Sequence, residues 1–204
     1  ALAGRRVAPA ELFDAARKSL HFVGHQGISM IVASALDMAA WDALARAAGL
    51  PLCVLLGGSV GSVRSYNSNG LWLHAPDVVA REAVELRDQH GFTGLKLRLG
   101  RDRPADDVAT IRAVRDAVGE DVQLMVDFNQ GLNRAEALAR CPMLDDLGLA
   151  WIEEPLVYDD LDGHAQLAAG LATPIQIGEN FYGPRDLADA LARKACDLVM
   201  PDFM

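Results

Sequence analysis

Asp127, Glu153 and Glu179 stand 26 residues apart in each step, and each closes an apolar run. Val122–Asp127 leads into Phe128-Asn129-Gln130-Gly131, Leu149–Glu153 into Glu154-Pro155, and Ile175–Glu179 into Asn180. A strand, a helix and two connections need about that length, because a βαβ unit takes roughly 30 residues. The three acids therefore occupy the same place in three successive βα repeats. Pro155 lacks an amide hydrogen and cannot extend a central strand, which sets Glu153 and Glu154 at a strand's carboxyl end. Each acid alone reads as well as a turn former or helix cap. Together they converge, since neighbouring strands lie about 4.8 Å apart. Two bare carboxylates about 4 Å apart repel by roughly 4 kcal/mol at an effective dielectric near 20. Such a cluster calls for a cation, and oxygen donors without His or Cys select Mg²⁺, with Mn²⁺ possible, over Zn²⁺.

Cations stand beside the acids. In Gly94–Leu99, strict alternation puts Leu95, Leu97 and Leu99 on one face and Lys96 and Arg98 on the other. With the leucines toward covering helices, both cations point to the acid-bearing side, where they suit a substrate carboxylate and the negative charge developing on it. Asn129, two residues past Asp127, faces the same way if the strand geometry persists, and is a candidate to hydrogen-bond substrate. Asp202, 23 residues past Glu179, continues the strand-end series and suits the orienting of a base.

The elements that must carry these residues follow from the pattern. Within residues 1–62, Pro9 opens an amphipathic helix to about Leu20, and Ser29–Ala48 reads as a longer, mostly apolar helix closed by Gly49. Its almost wholly apolar surface implies burial. Gly57-Gly58-Ser59-Val60-Gly61 follows a helix and precedes a strand, the reverse of a phosphate-cradling loop, and reads as a connection between domains. Residues 63–204 alternate strand and helix. The strands are Arg64–Ser68, Gly94–Leu99, Val122–Asp127, Leu149–Glu153, Ile175–Glu179 and Asp197–Pro201, with helices over 76–90, 105–118, 134–144, 160–169 and 185–194. Chemistry at every strand end suggests an α/β fold of the (β/α)-barrel type, unfinished at six strands because eight take about 250 residues.

A formal net charge of −9 argues against nucleic acid and anionic membranes as partners. Cys53, Cys141 and Cys196, odd in number and set among apolar residues, read as reduced core thiols of a cytoplasmic protein. No signal pattern and no bilayer-spanning run is expected.

The motifs Ala35-Leu36-Asp37-Met38-Ala39-Ala40-Trp41-Asp42, Leu55-Leu56-Gly57-Gly58, Val126-Asp127-Phe128-Asn129-Gln130, Trp151-Ile152-Glu153-Glu154-Pro155, Gly178-Glu179-Asn180 and Met200-Pro201-Asp202 occur in that order. In them the chain resembles the mandelate racemase/muconate lactonizing enzyme family of the enolase superfamily, closest to its mandelate racemase subgroup. The resemblance implies an α+β capping domain on a modified (β/α)-barrel, with Asp127, Glu153 and Glu179 as Mg²⁺ ligands. It implies that Lys96 fills the first place of a Lys-x-Lys motif and Asp202 the Asp of a His–Asp dyad. The implied reaction removes the proton α to a carboxylate through a metal-stabilised enediolate, in a homo-oligomer acting on a small carboxylate substrate. Two departures stand out. Arg98 replaces the second lysine, and guanidinium is a poor base near neutral pH. A racemase needs a base on each face of its substrate, so this favours dehydration of a sugar acid over racemisation or epimerisation of a 2-hydroxy acid. The dyad's histidine is expected on a later strand, beyond Met204. A catalytically inactive piece retaining only metal-binding strand ends is the alternative.

Overall fold

A computed structural model describes residues 4–202. The described residues divide into two compact units, 4–63 with Asp202 and 64–201.

In the first unit α1 (Pro9–Leu20) packs on α2 (Ile28–Ala48), and α3 (Leu52–Leu55) follows as a single turn. Gly49, at φ 64°, closes α2 by donating to the carbonyls of Ala45 and Arg46, as a left-handed cap does. The expected burial of α2 does not occur: Ala33, Ser34, Ala40 and Ala45 are buried, whereas Ile28, Ile31, Val32, Leu36 and Met38 are exposed. The apolar residues run all round the helix, and a neighbour covers only part of it, here chiefly Ala33, Ala40 and Ala45. By length and composition α2 is also long and apolar enough to cross a membrane, against the sequence expectation, although Asp37, Asp42 and Arg46 interrupt it. Cys53 is exposed rather than a core thiol, Cys196 is half-buried and Cys141 is buried; all three are free. Cys53 sits on the one-turn α3, in which no residue is buried.

The second unit is an all-parallel five-stranded sheet in the order β1-β2-β3-β4-β5: Gly94–Arg98, Gln123–Asp127, Leu149–Glu153, Ile175–Ile177 and Leu198–Val199. Between them run α4 (Pro76–His90, before β1), α5 (Pro104–Val118), α6 (Arg134–Arg140) with a 3-10 turn at Cys141–Leu144, α7 (Leu161–Gly170) and α8 (Pro184–Ala192). Prolines open α4, α5 and α8, where the missing amide hydrogen costs nothing. Asn133 and Glu136 form a reciprocal capping box on α6. Leu95, Leu97, Leu124, Val126, Ile152, Ile175 and Ile177 make the sheet's side of the core, and Val79, Ala83, Ile111, Val114 and Leu167 the helices' side.

Arg64–Ser68 is not a strand. Asn67 alone bridges to Leu95, donating its amide to Gly94 O and accepting from Lys96 N, each at 2.9 Å. The side chain of Asn67 accepts from the amide of Asn69 at 2.8 Å. That local turn competes with a ladder, as Asn and Ser side chains commonly do. At the other side of the sheet β4 stops at Ile177, two residues short of the expected Glu179. Gly178 takes φ 141°, and a Cβ there would lie 3.0 Å from the backbone of Met200, so the chain turns away at the one residue able to do so.

Candidate active site

Register aligns the site. Arg98 pairs with Asp127, Asp127 with Glu153, and Glu153 with Gln176, so one row crosses four strands at their carboxyl ends. Alternation then sends Leu95, Leu97 and Leu99 into the helix-covered core, while Lys96 and Arg98 meet the acids. Lys96 is 4% exposed, Asp127 1% and Glu153 0%, so this is a buried charge cluster.

The Lys96 ammonium donates to Glu153 Oε1 and lies 3.1 Å from Asp127 Oδ2. Arg98 Nη1 donates to the same Oδ2 at 2.9 Å, and its Nη2 reaches Ser68 Oγ at 3.3 Å. The strand geometry does not persist to Asn129, which takes φ 47° and turns back on the acid: its amide donates to Asp127 Oδ1 at 2.7 Å and its Nδ2 to Oδ2 at 3.0 Å. Trp151 Nε1 donates to Glu153 Oε2 at 3.1 Å. Tyr66 stacks edge-on against Trp151, 5.4 Å between centroids, with Lys96 Nζ 5.9 Å from its ring. Trp151 was findable from sequence, since it precedes Glu153 by two residues on one strand face. Tyr66 carried no such signal.

Burial tends to lower the Lys96 pKa, but the hydrogen bond to Glu153 and the charges of Asp127 and Glu153 outweigh it and leave it raised. Glu153 is pushed up by burial and by Asp127, against the opposing pull of Lys96. Glu154, fully buried, is pushed up to about 7 by burial first and then by the charge of Glu179; Asn180 Nδ2 donates to it at 3.0 Å. Glu179 itself is exposed in the turn after β4. Asp202 is exposed and groups with the amino-terminal unit.

Among the described residues no three carboxylates, imidazoles or thiols are arranged to hold a metal ion. Ammonium and guanidinium instead neutralise Asp127 and Glu153. The donor chemistry nonetheless fits a hard divalent cation, because Asp127, Glu153 and Glu179 offer oxygen alone.

Positive φ at Asn129 (47°), Gln130 (62°) and Glu154 (38°) concentrates backbone strain at the ends of β2 and β3. Gln130 N donates to Glu154 O at 2.8 Å, locking the two strained loops together.

Residues 7–57 match the mandelate racemase / muconate lactonizing enzyme N-terminal domain and residues 78–204 the enolase C-terminal domain-like family. The chain is 42% identical over 181 residues to L-talarate/galactarate dehydratase of Salmonella typhimurium, covering 88% of this chain and 45% of that protein. Arabinonate dehydratase of Saccharolobus solfataricus is 34% identical over 95% of this chain and 52% of its own length. An enolase from alpha proteobacterium bal199, crystallised with bound Mg, superposes with a TM-score of 0.96 at 65% identity, covering 99% of this chain and 56% of that one. The chain thus spans about half the length of the curated relatives it matches. It belongs to the mandelate racemase/muconate lactonizing enzyme family of the enolase superfamily.

Proposed function

We propose that this chain carries the metal-binding and charge-stabilising half of a Mg²⁺-dependent enzyme that removes the proton α to a carboxylate. Dehydration of a sugar acid is the favoured outcome, ahead of racemisation or epimerisation of a 2-hydroxy acid. The observation that carries the reading is the convergence of Lys96 and Arg98 on Asp127 and Glu153 at adjacent strand ends. It is supported by the dehydratases among the relatives and by a structural neighbour, L-talarate dehydratase of Polaromonas sp. JS666, complexed with Mg and L-glucarate.

Asp127, Glu153 and Glu179 would hold Mg²⁺, with Mn²⁺ an acceptable substitute, and the bound ion supplies a fixed positive charge for a carboxylate whose electron density is rising. A guanidinium is a poor base, so Arg98 binds and stabilises an anion rather than taking a proton. Lys96, held as an ammonium by its two acids, adds a second positive charge and a proton at Nζ to give. Asn129 fixes Asp127 through two hydrogen bonds and orients it. Asp202 is assigned to orienting a base. A cytoplasmic homo-oligomer, with residues 1–62 as part of a capping domain and 63–204 as barrel, completes the reading.

The test is proton–deuterium exchange and dehydration by the full-length protein across aldarates, aldonates and mandelate, with and without Mg²⁺. Exchange at the α-carbon that disappears on chelation supports the reading. No exchange with any of these acids at saturating Mg²⁺ sinks it.

A further inference from the structure

Asp107 lies outside the charge cluster yet is 2% exposed, an ionisable side chain inside the first turn of α5. It does not serve its own helix. Its carboxylate accepts from Gly100 N at 3.2 Å, Arg101 N at 3.2 Å and Arg101 Nη1 at 3.1 Å, all in the loop leaving β1. A buried carboxylate survives only when its lone pairs are satisfied in this way. Arg140 closes the knot from α6, donating to Arg101 O at 2.7 Å.

The other arm of Arg101 reaches toward the site. Nη2 donates to His74 O at 2.9 Å and Trp72 O at 3.4 Å, and Nε to His74 O at 3.3 Å. Leu71 anchors the start of that segment, with its side chain fully buried and its carbonyl accepting from Arg98 N at 3.0 Å, but beyond it Trp72 is 55% exposed and Leu73 50%, so packing alone does not fix residues 72–74. Leu71, at φ 53°, holds it in a strained turn. Yet the Trp72 ring lies over the Arg98 guanidinium at 5.4 Å. A planar cation lying over an indole and bonded to Asp127 has few directions left in which to point. Asp107 sets Arg101, Arg101 sets the backbone of residues 72–74, and Trp72 sets Arg98.

We propose that Asp107 is a positioning residue, acting through Arg101 and Trp72 to aim Arg98 at the substrate carboxylate. The inference rests on the proposed function and deepens it.

The test is a kinetic double-mutant cycle in the full-length protein with its best substrate: Asp107→Asn, Trp72→Leu and the pair, with melting temperature measured on each. Each single change lowers kcat/KM by about tenfold, as a displaced binding group does. The double variant loses about tenfold and not a hundredfold, because both changes break one relay. Should Asp107→Asn fail to fold, Arg101→Gln runs the same cycle. Multiplicative losses overturn the inference, and so does a lowered melting temperature with kcat/KM unchanged. Absence of turnover in the parent protein defeats the functional reading itself, an outcome distinct from both.

Discussion

Replacing Lys96 with methionine keeps the length of the side chain and removes its charge. The ammonium touches two acids that have almost no contact with water, Glu153 by a hydrogen bond and Asp127 at 3.1 Å. At that distance each pair is worth about 5 kcal/mol gross at an effective dielectric near 20. Desolvation of the three groups consumes much of this, and breaking one side of a buried pair costs about 3–5 kcal/mol net. Arg98 still bonds Asp127, so Glu153 is the acid left stranded and the lower end of that range applies. In a chain of this size 3 kcal/mol lowers the melting temperature by roughly 6–12 °C. Melting is followed by circular dichroism in chelator and again with Mg²⁺. If the ion occupies the place the ammonium vacates, Mg²⁺ at a hundred times its Kd returns about 2.7 kcal/mol and the variant regains more than the parent. A loss under about 2 °C in chelator refutes the buried pairing. Equal gains from Mg²⁺ in the two proteins refute the competition between ammonium and metal.

Three further outcomes follow from the structure. His164 is fully buried in α7, and burial holds its pKa below the ordinary imidazole value, so the fold keeps it neutral. As pH falls through the unfolded value of about 6.5, the unfolded chain binds the proton first and stability drops, by at most about 1.4 kcal/mol per pH unit until the folded pKa is reached. Urea melts at pH 7 and pH 5.5 should show a smaller loss for His164→Asn than for the parent, and an equal loss would contradict the burial. Burial pushes the Cys141 thiol up to about 12, so at pH 8 a thiol reagent followed by mass spectrometry labels exposed Cys53 while Cys141 reacts only after denaturation. Gly178→Ala brings a Cβ to 3.0 Å from the Met200 backbone at a φ of 141° and should cost about 1–3 kcal/mol in chemical denaturation.

Legibility in the sequence tracked how each element is stabilised. Leu149–Glu153 was readable to the residue because an apolar run and Pro155 bound it, and helix Pro76–His90 because proline opens it and Gly91 closes it. Arg64–Ser68 was misread because the strand–helix series calls for a strand there, while the competing turn at Asn67 is a side-chain effect that such spacing does not register. The apolar face of α2 was misread for a different cause: composition reports what a helix would bury, not whether a neighbour is there to cover it. In the site, residue types and spacing gave Lys96, Arg98, Asp127 and Glu153, because register converts equal spacing into adjacency. The buried role of Glu154 was invisible, since two adjacent glutamates on an extended strand should face opposite sides.

Glu154 escapes that rule because it has left the strand. At φ 38° the chain turns at Glu154, so its carboxylate is buried beside Asn180 while Glu153 stays with Lys96. The turn is held by three backbone hydrogen bonds. Glu154 N donates to Gln176 O at 3.0 Å, and Glu154 O accepts from Gln130 N at 2.8 Å. Leu132 N donates to Pro155 O at 3.1 Å. A non-glycine residue in this region costs on the order of 1–3 kcal/mol, and it persists because neighbouring strand ends on both sides grip it. The strain therefore has a structural return. It lets two consecutive carboxylates serve two places, one paired with the cations of β1 and one tied to the loop that carries Glu179.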